Sequence, residues 1–186
     1  MKRASATTAV TLQRTRVTTA VAALTFTALF WFLQIGPRAF VGDKPTSQAF
    51  SDTTRNLGFS ALILLAASLP LGLVVGRRLV HGRRAAILYA AHRTLSLTGL
   101  AVIGLHLLTL LGATSLGPSL ARLAIPFVWP HRTLATGLGV VGTWILIALG
   151  PSYYVRRRFS VRHWKVAHRL IAIGLLLALV HSLGGG

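Results

Sequence analysis

Four histidines carry the redox-site chemistry that this sequence offers. His92 and His106 stand 14 residues apart, His168 and His181 stand 13 apart, and each pair brackets one apolar stretch. A helix rises about 1.5 Å per residue, so each pair spans roughly 20 Å, inside the ~30 Å hydrocarbon core of a bilayer. Two such helices side by side offer two histidine–histidine pairs at two depths. Neutral imidazole ligates haem iron, and two imidazoles on one iron leave no axial position open. The spacing therefore implies sites for two stacked b haems, a centre that moves electrons without binding substrate at iron.

Other redox and acid–base chemistries are poorly supplied. The chain has no cysteine, which excludes disulfides, iron–sulfur clusters and covalent c-type haem attachment within it. Its two carboxylates, Asp43 and Asp52, fall in one predicted loop. No apolar stretch carries an acidic residue for a proton relay or a carboxylate-bridged metal.

The elements that must position the histidines are membrane helices. The 186 residues are 53% hydrophobic and 12% charged, against about 25% charged for soluble domains. The expected fold is an all-α integral membrane protein, a bundle of about five transmembrane helices around two haems. A basic tail, residues 1–16, precedes spans predicted over residues 17–36, 57–76, 86–111, 133–150 and 166–183. The first is read as an uncleaved helix rather than a signal peptide, because its apolar run is long and no A-x-A site follows. Residues 37–56 read as a polar loop. Pro70 predicts a kink in the second span. Residues 112–131, broken by glycine and proline, read as a loop whose apolar part lies at the interface or folds back over the bundle.

The net charge of +18 comes from basic residues clustered in short connections. Membrane topology explains it better than nucleic-acid binding. Lys2, Arg3, Arg14 and Arg16 stand in the tail, Arg77, Arg78, Arg83 and Arg84 in one loop, and Arg156, Arg157, Arg158, Arg162 and Lys165 in another. The positive-inside rule puts these three segments in the cytoplasm and the C-terminus outside. Spans three and five then run parallel. Depth alone pairs His92 with His168 on the cytoplasmic side and His106 with His181 on the outer side.

At ~100° per residue, His92 and His106 share a face, while His168 and His181 fall ~140° apart. Either the fifth helix is distorted, with Gly174 the expected place, or the haems approach it from different sides. Gly99 and Gly174, midway along their helices, either leave room for porphyrin edges or pack helix against helix. Arg93 and Arg169 directly follow the inner histidines. They either pair with haem propionates or snorkel to headgroups. His81 and His163 read as solvated loop residues, and His131 as interfacial.

With these positions in view, the sequence resembles the ferric-reductase-like transmembrane domain. That superfamily includes ferric reductases, NADPH oxidases and the haem membrane subunit of bacterial methionine sulfoxide reductase systems. The resemblance covers residues 17–184. Its carriers are His92, His106, His168 and His181 at their spacings, and the basic run before Trp164 and His168. It implies that the four histidines ligate two b haems. Two-haem members usually continue through a sixth span into a cytoplasmic flavin and nicotinamide domain. Here no soluble flavin or NAD domain and no dinucleotide-binding loop are expected.

The expected function is that of a dihaem b-type cytochrome of the cell membrane, an oxidoreductase or the haem subunit of one. A cytoplasmic flavin reductase or a membrane quinol would supply electrons, any flavin belonging to that partner. An extracytoplasmic acceptor would receive them: ferric iron, oxygen or a partner reductase. Two other classes compete, a haem-binding redox sensor or assembly subunit without turnover, and a small-molecule transporter with histidines along its path.

Overall fold

The computed structural model describes residues 46–185. The expected tail (1–16) and first span (17–36) lie outside the described residues. Among those described, every regular element is helical: α1 (Thr46–Gly76), α2 (Gly82–Gly112), α3 (Leu120–Ala124), α4 (Thr133–Leu149), α5 (Ser152–Val155), α6 (Val161–Arg169) and α7 (Ile171–Gly185), with 3-10 turns at Thr114–Leu116 and Arg156–Arg158. Four stretches are long and apolar enough to cross a membrane: Ser47–Gly76, Gly82–Gly112, Thr133–Arg158 and Val161–Gly184. Their outward residues are apolar, with Ile63 67% and Leu108 64% exposed. Such surface suits lipid, and the chain is a multi-pass membrane protein.

The polar segment expected as a loop over 37–56 is helical from Thr46 onward. Its hydroxyls turn back on the helix: Ser51 Oγ donates to the Ser47 carbonyl (3.0 Å) and Thr53 Oγ1 to Ala49 (2.8 Å). Serine and threonine satisfied this way need no water. The α1 helix runs on through Pro70 as one element. It ends in a Schellman motif, with Leu79 N–H donating to the Val74 carbonyl and Arg78 N–H to Val75. Arg78 takes the left-handed conformation at φ 55°, where glycine is usual.

Two helical pairs make up the bundle. The α1 and α2 helices pack along their length, as do α4 and α7, while α1 meets α7 and α2 meets α4 sparsely. The first pair is antiparallel: Phe50 lies against Gly112, and Gly72 against His92. The second is too, since Gly142 meets Gly174 while Gly139 meets His181. Leu57, Ala61 and Leu65, four residues apart on α1, join Val102, Ile103, Leu146 and Leu175 in the buried core. This core ties the two pairs together at mid-height.

The two mid-helix glycines resolve as packing positions. A Cβ at Gly99 would lie 2.8 Å from the Leu65 side chain, and one at Gly142 would lie 2.8 Å from the Gly174 carbonyl. Both are close helix–helix approaches, which corrects the alternative of room for a porphyrin. The distortion of the last span also falls elsewhere than Gly174. It falls at Leu170, where α6 ends and α7 begins. Leu170 N–H donates to Ala167 (3.0 Å) and Ile173 N–H to Leu170 (2.9 Å), both 3-10 bonds. Each residue so wound adds ~20° of rotation, which turns His181 towards the His168 face.

The segment between α2 and α4 folds back over α4. Trp144 Nε1–H donates to the Ala124 carbonyl (2.9 Å). Phe127, at φ 62°, lays its ring where a Cβ on Gly137 would stand.

Candidate functional site: two histidine pairs

Each histidine is held first by the helix beside it. On the first pair of helices, His92 Nδ1 lies 3.0 Å from the Ser68 carbonyl and 2.8 Å from Ser68 Oγ, and His106 Nδ1 lies 2.8 Å from the Thr54 carbonyl. On the second, His181 Nδ1 lies 3.0 Å from the Ala135 carbonyl. A carbonyl only accepts, so each of these rings carries its proton on Nδ1. Nε2 then holds the free lone pair, the form that ligates a metal.

These three sites share one construction. Four residues beyond each carbonyl stands a glycine, and the imidazole occupies the space its side chain would need. A Cβ at Gly72 would come within 2.7 Å of the His92 ring, at Gly58 within 3.1 Å of His106, and at Gly139 within 2.6 Å of His181. In a helix the carbonyl of residue i already accepts from the N–H of residue i+4. The imidazole takes the carbonyl's second lone pair and sits over the glycine that gave the first bond. Thr54 and Gly58 repeat 14 residues later as Ser68 and Gly72. This matches the His92–His106 interval, run backwards because α1 and α2 are antiparallel. The sequence carries the signal in this repeat, on the helix opposite the histidines.

His168 is held differently. Its Nδ1 lies 3.4 Å from Ser152 Oγ, beside the Leu149 carbonyl, and its ring stacks on Trp164 with centres 5.3 Å apart and planes at 24°. Four residues beyond Leu149 stands Tyr153, not glycine.

The histidines meet across the two halves of the bundle. His92 and His168 have ring centres 6.4 Å apart, with planes nearly perpendicular at 86°. His106 and His181 lie within electrostatic reach of each other. The pairs are those expected from depth, and this pairing requires α2 to run parallel to the α6–α7 segment. No hydrogen bond among the described residues falls on any of the four Nε2 atoms.

The remaining candidates stay apart from these pairs. Arg93 and Arg169 are exposed, as are His81, His131 and His163. His163 serves the start of α6, where Ser160 Oγ accepts from its backbone N–H at 3.3 Å. No group of three or more histidine or carboxylate side chains converges among the described residues. Two ligands per centre suit a metal that brings its own remaining ligands.

One string in the sequence has the spacing of a dinucleotide fingerprint, Gly137-Leu-Gly139-Val-Val-Gly142. The fingerprint works as a strand–turn–helix. Here all three glycines lie inside α4, against Phe127, His181 and Gly174 respectively. They are packing positions, and no dinucleotide loop is formed there. Comparison with family models, curated proteins and solved structures finds no match for this chain.

Proposed function

We propose that this chain is a dihaem b-type membrane cytochrome. In this reading it carries electrons from a cytoplasmic-side flavoprotein or quinol to an extracytoplasmic acceptor: ferric iron, oxygen or a partner reductase. One observation carries the reading. Two histidine pairs, each joining one ligand from each half of the bundle, have Nδ1 occupied and Nε2 free. His92 and His168, with ring centres 6.4 Å apart, would hold a metal-centred group between them, each giving it a neutral imidazole nitrogen.

Two b haems held there supply a one-electron couple at each of two depths. The chain's residues do the rest. His92 and His168 clamp the inner group, His106 and His181 the outer. The carbonyls of Ser68, Thr54 and Ala135 fix three of the four ring orientations. The apolar helices exclude water and protons. Arg93 and Arg169, beside the inner ligands and exposed, offer guanidinium groups to propionates or headgroups. The basic cytoplasmic loops, with Arg77, Arg78, Arg83, Arg84 and Arg156–Arg158, present a surface for an acidic donor protein.

A pyridine haemochrome assay on protein expressed with haem supplied tests the reading, with two b haems per chain expected. A haem-free protein would overturn it in favour of a transporter. Haem that no external acceptor reoxidises would favour a sensor or assembly subunit. Orientation is tested by Gly185→Cys in this cysteine-free chain. An impermeant thiol reagent should label it on intact cells, and labelling only after lysis would exchange inner and outer.

A further inference from the structure

His168 is the one ligand with no glycine beneath its ring: its Nδ1 faces the Leu149 carbonyl and Ser152 Oγ together, and its ring stacks on Trp164. Its support starts from α6, a nine-residue helix capped by Ser160. Trp164 and His168 are one turn apart on it, at a spacing that brings side chains together, and their rings stack. Trp164 Nε1–H donates to Ser152 Oγ at 3.2 Å, and Ser152 Oγ–H donates to the Leu149 carbonyl at 2.5 Å. Ser152 is buried, so its bonds are made within the protein.

The proton inventory settles the direction of the last bond. A serine hydroxyl has one proton and two lone pairs, and an indole nitrogen only donates. Ser152 has given its proton to Leu149 and taken one from Trp164. Towards His168 Nδ1 it has only a lone pair left, so Nδ1 carries the proton and Nε2 is free, as in the other three sites. Beyond Trp164 the cluster continues outward. Tyr153 lies 6.4 Å from the indole, and the Arg156 guanidinium stands 3.7 Å over the Tyr153 ring and 5.9 Å from the indole.

We propose that Trp164 and Ser152 are positioning residues for His168, and that through them side chains at the cytoplasmic rim set the redox potential of the inner centre. The outer centre has only backbone carbonyls behind its ligands. This proposal rests on the haem reading. An acceptor on Nδ1–H makes an imidazole a stronger donor to the metal and favours the ferric state. Removing Ser152 Oγ weakens His168 as a ligand and raises the inner potential, while the stacked indole keeps the ring from turning.

The test is a redox titration of the full-length holoprotein, with low-temperature EPR of the ferric state, on S152A, W164F and W164L. S152A should raise the inner midpoint by about 59 mV, a tenfold change in the ferric-to-ferrous ratio at fixed potential, and leave the outer one in place. W164L should shift the inner EPR signal, and W164F, which keeps a stacking ring, should restore it towards wild type. Should W164L fail to insert, the inner midpoint of S152A decides. Two retained haems with an unmoved inner midpoint in S152A, or with an unmoved inner EPR signal in W164L, would overturn the proposal and leave the cytochrome reading intact. A shift shared equally by both centres would also overturn it. A wild-type protein without haem would overturn the reading and the proposal together.

Discussion

The two halves of the bundle solve one problem with different degrees of regularity. On the α1–α2 side both histidines sit in the same device, a carbonyl four residues before a glycine, repeated at 14 residues. On the α4–α7 side His181 has that device, and His168 has the Leu149 carbonyl without the glycine, with Ser152 and Trp164 added. The difference follows the helices. The α2 helix is continuous across its pair, so its partner can repeat a cradle at the same interval. The second pair's carrier is broken at Leu170, and His168, on a short separate helix, meets the Leu149 carbonyl at the very end of α4, where Tyr153 stands in place of the glycine. A regular interval on one helix is matched by a regular interval on its neighbour, and where α4 ends without a glycine, side chains complete the cradle.

The strongest way to break this comparison is to remove ligands. His92→Ala or His168→Ala should cost one haem of two and the inner spectral component. His106→Ala or His181→Ala should cost the outer one. If His92→Ala and His181→Ala lost the same component, the pairing across the halves would be wrong.

Filling a cradle should come next. Gly72→Val should push the His92 ring off its carbonyl and lower inner haem occupancy several-fold. Gly58→Val should do the same at the outer site and less severely, because a Cβ at Gly58 clears His106 by 3.1 Å against 2.7 Å at Gly72. Quantified haem in each variant checks the order. Equal, full occupancy in both would mean that the glycines are incidental to the sites.

A packing glycine away from the histidines sharpens the contrast. Gly142→Leu must part α4 from the Gly174 carbonyl, an overpacking cost of about 1–3 kcal/mol. It should lower thermal stability of the whole protein, read by loss of both haem signals together rather than of one. The smallest expected effect is Thr109→Val, which removes the 2.9 Å Thr54–Thr109 hydrogen bond between α1 and α2. Such bonds average about 0.6 kcal/mol in membranes, so haem content should hold and the unfolding midpoint should fall slightly.

Much of this architecture was legible before any coordinates. Hydropathy placed the boundaries of α4 within a residue, since Thr133 opens it and Gly150 follows it, and glycine- and basic-rich flanks end apolar runs sharply. It missed the first turns of α1, because Ser51 and Thr53 look like loop residues until their hydroxyls are seen bonded to the preceding turn. The angular arithmetic found a fault in the last span and misplaced it. Glycine is the weak point of an isolated helix, but Gly174 is locked against Gly142 by a neighbour that arithmetic on one helix cannot see.

By itself the sequence determined that the chain is a membrane protein with four histidines at two depths, because apolar length and residue spacing are properties of one helix at a time. Which helix lies behind each histidine was decided only in three dimensions. The cradles join residues 16 to 52 positions apart in the chain, from Ser152–His168 to Thr54–His106. The proton on each Nδ1, and hence the free Nε2, depends on an acceptor from a neighbouring turn or helix. That is a tertiary fact, since an imidazole's tautomer follows the hydrogen bond it makes and not the residue type beside it in sequence.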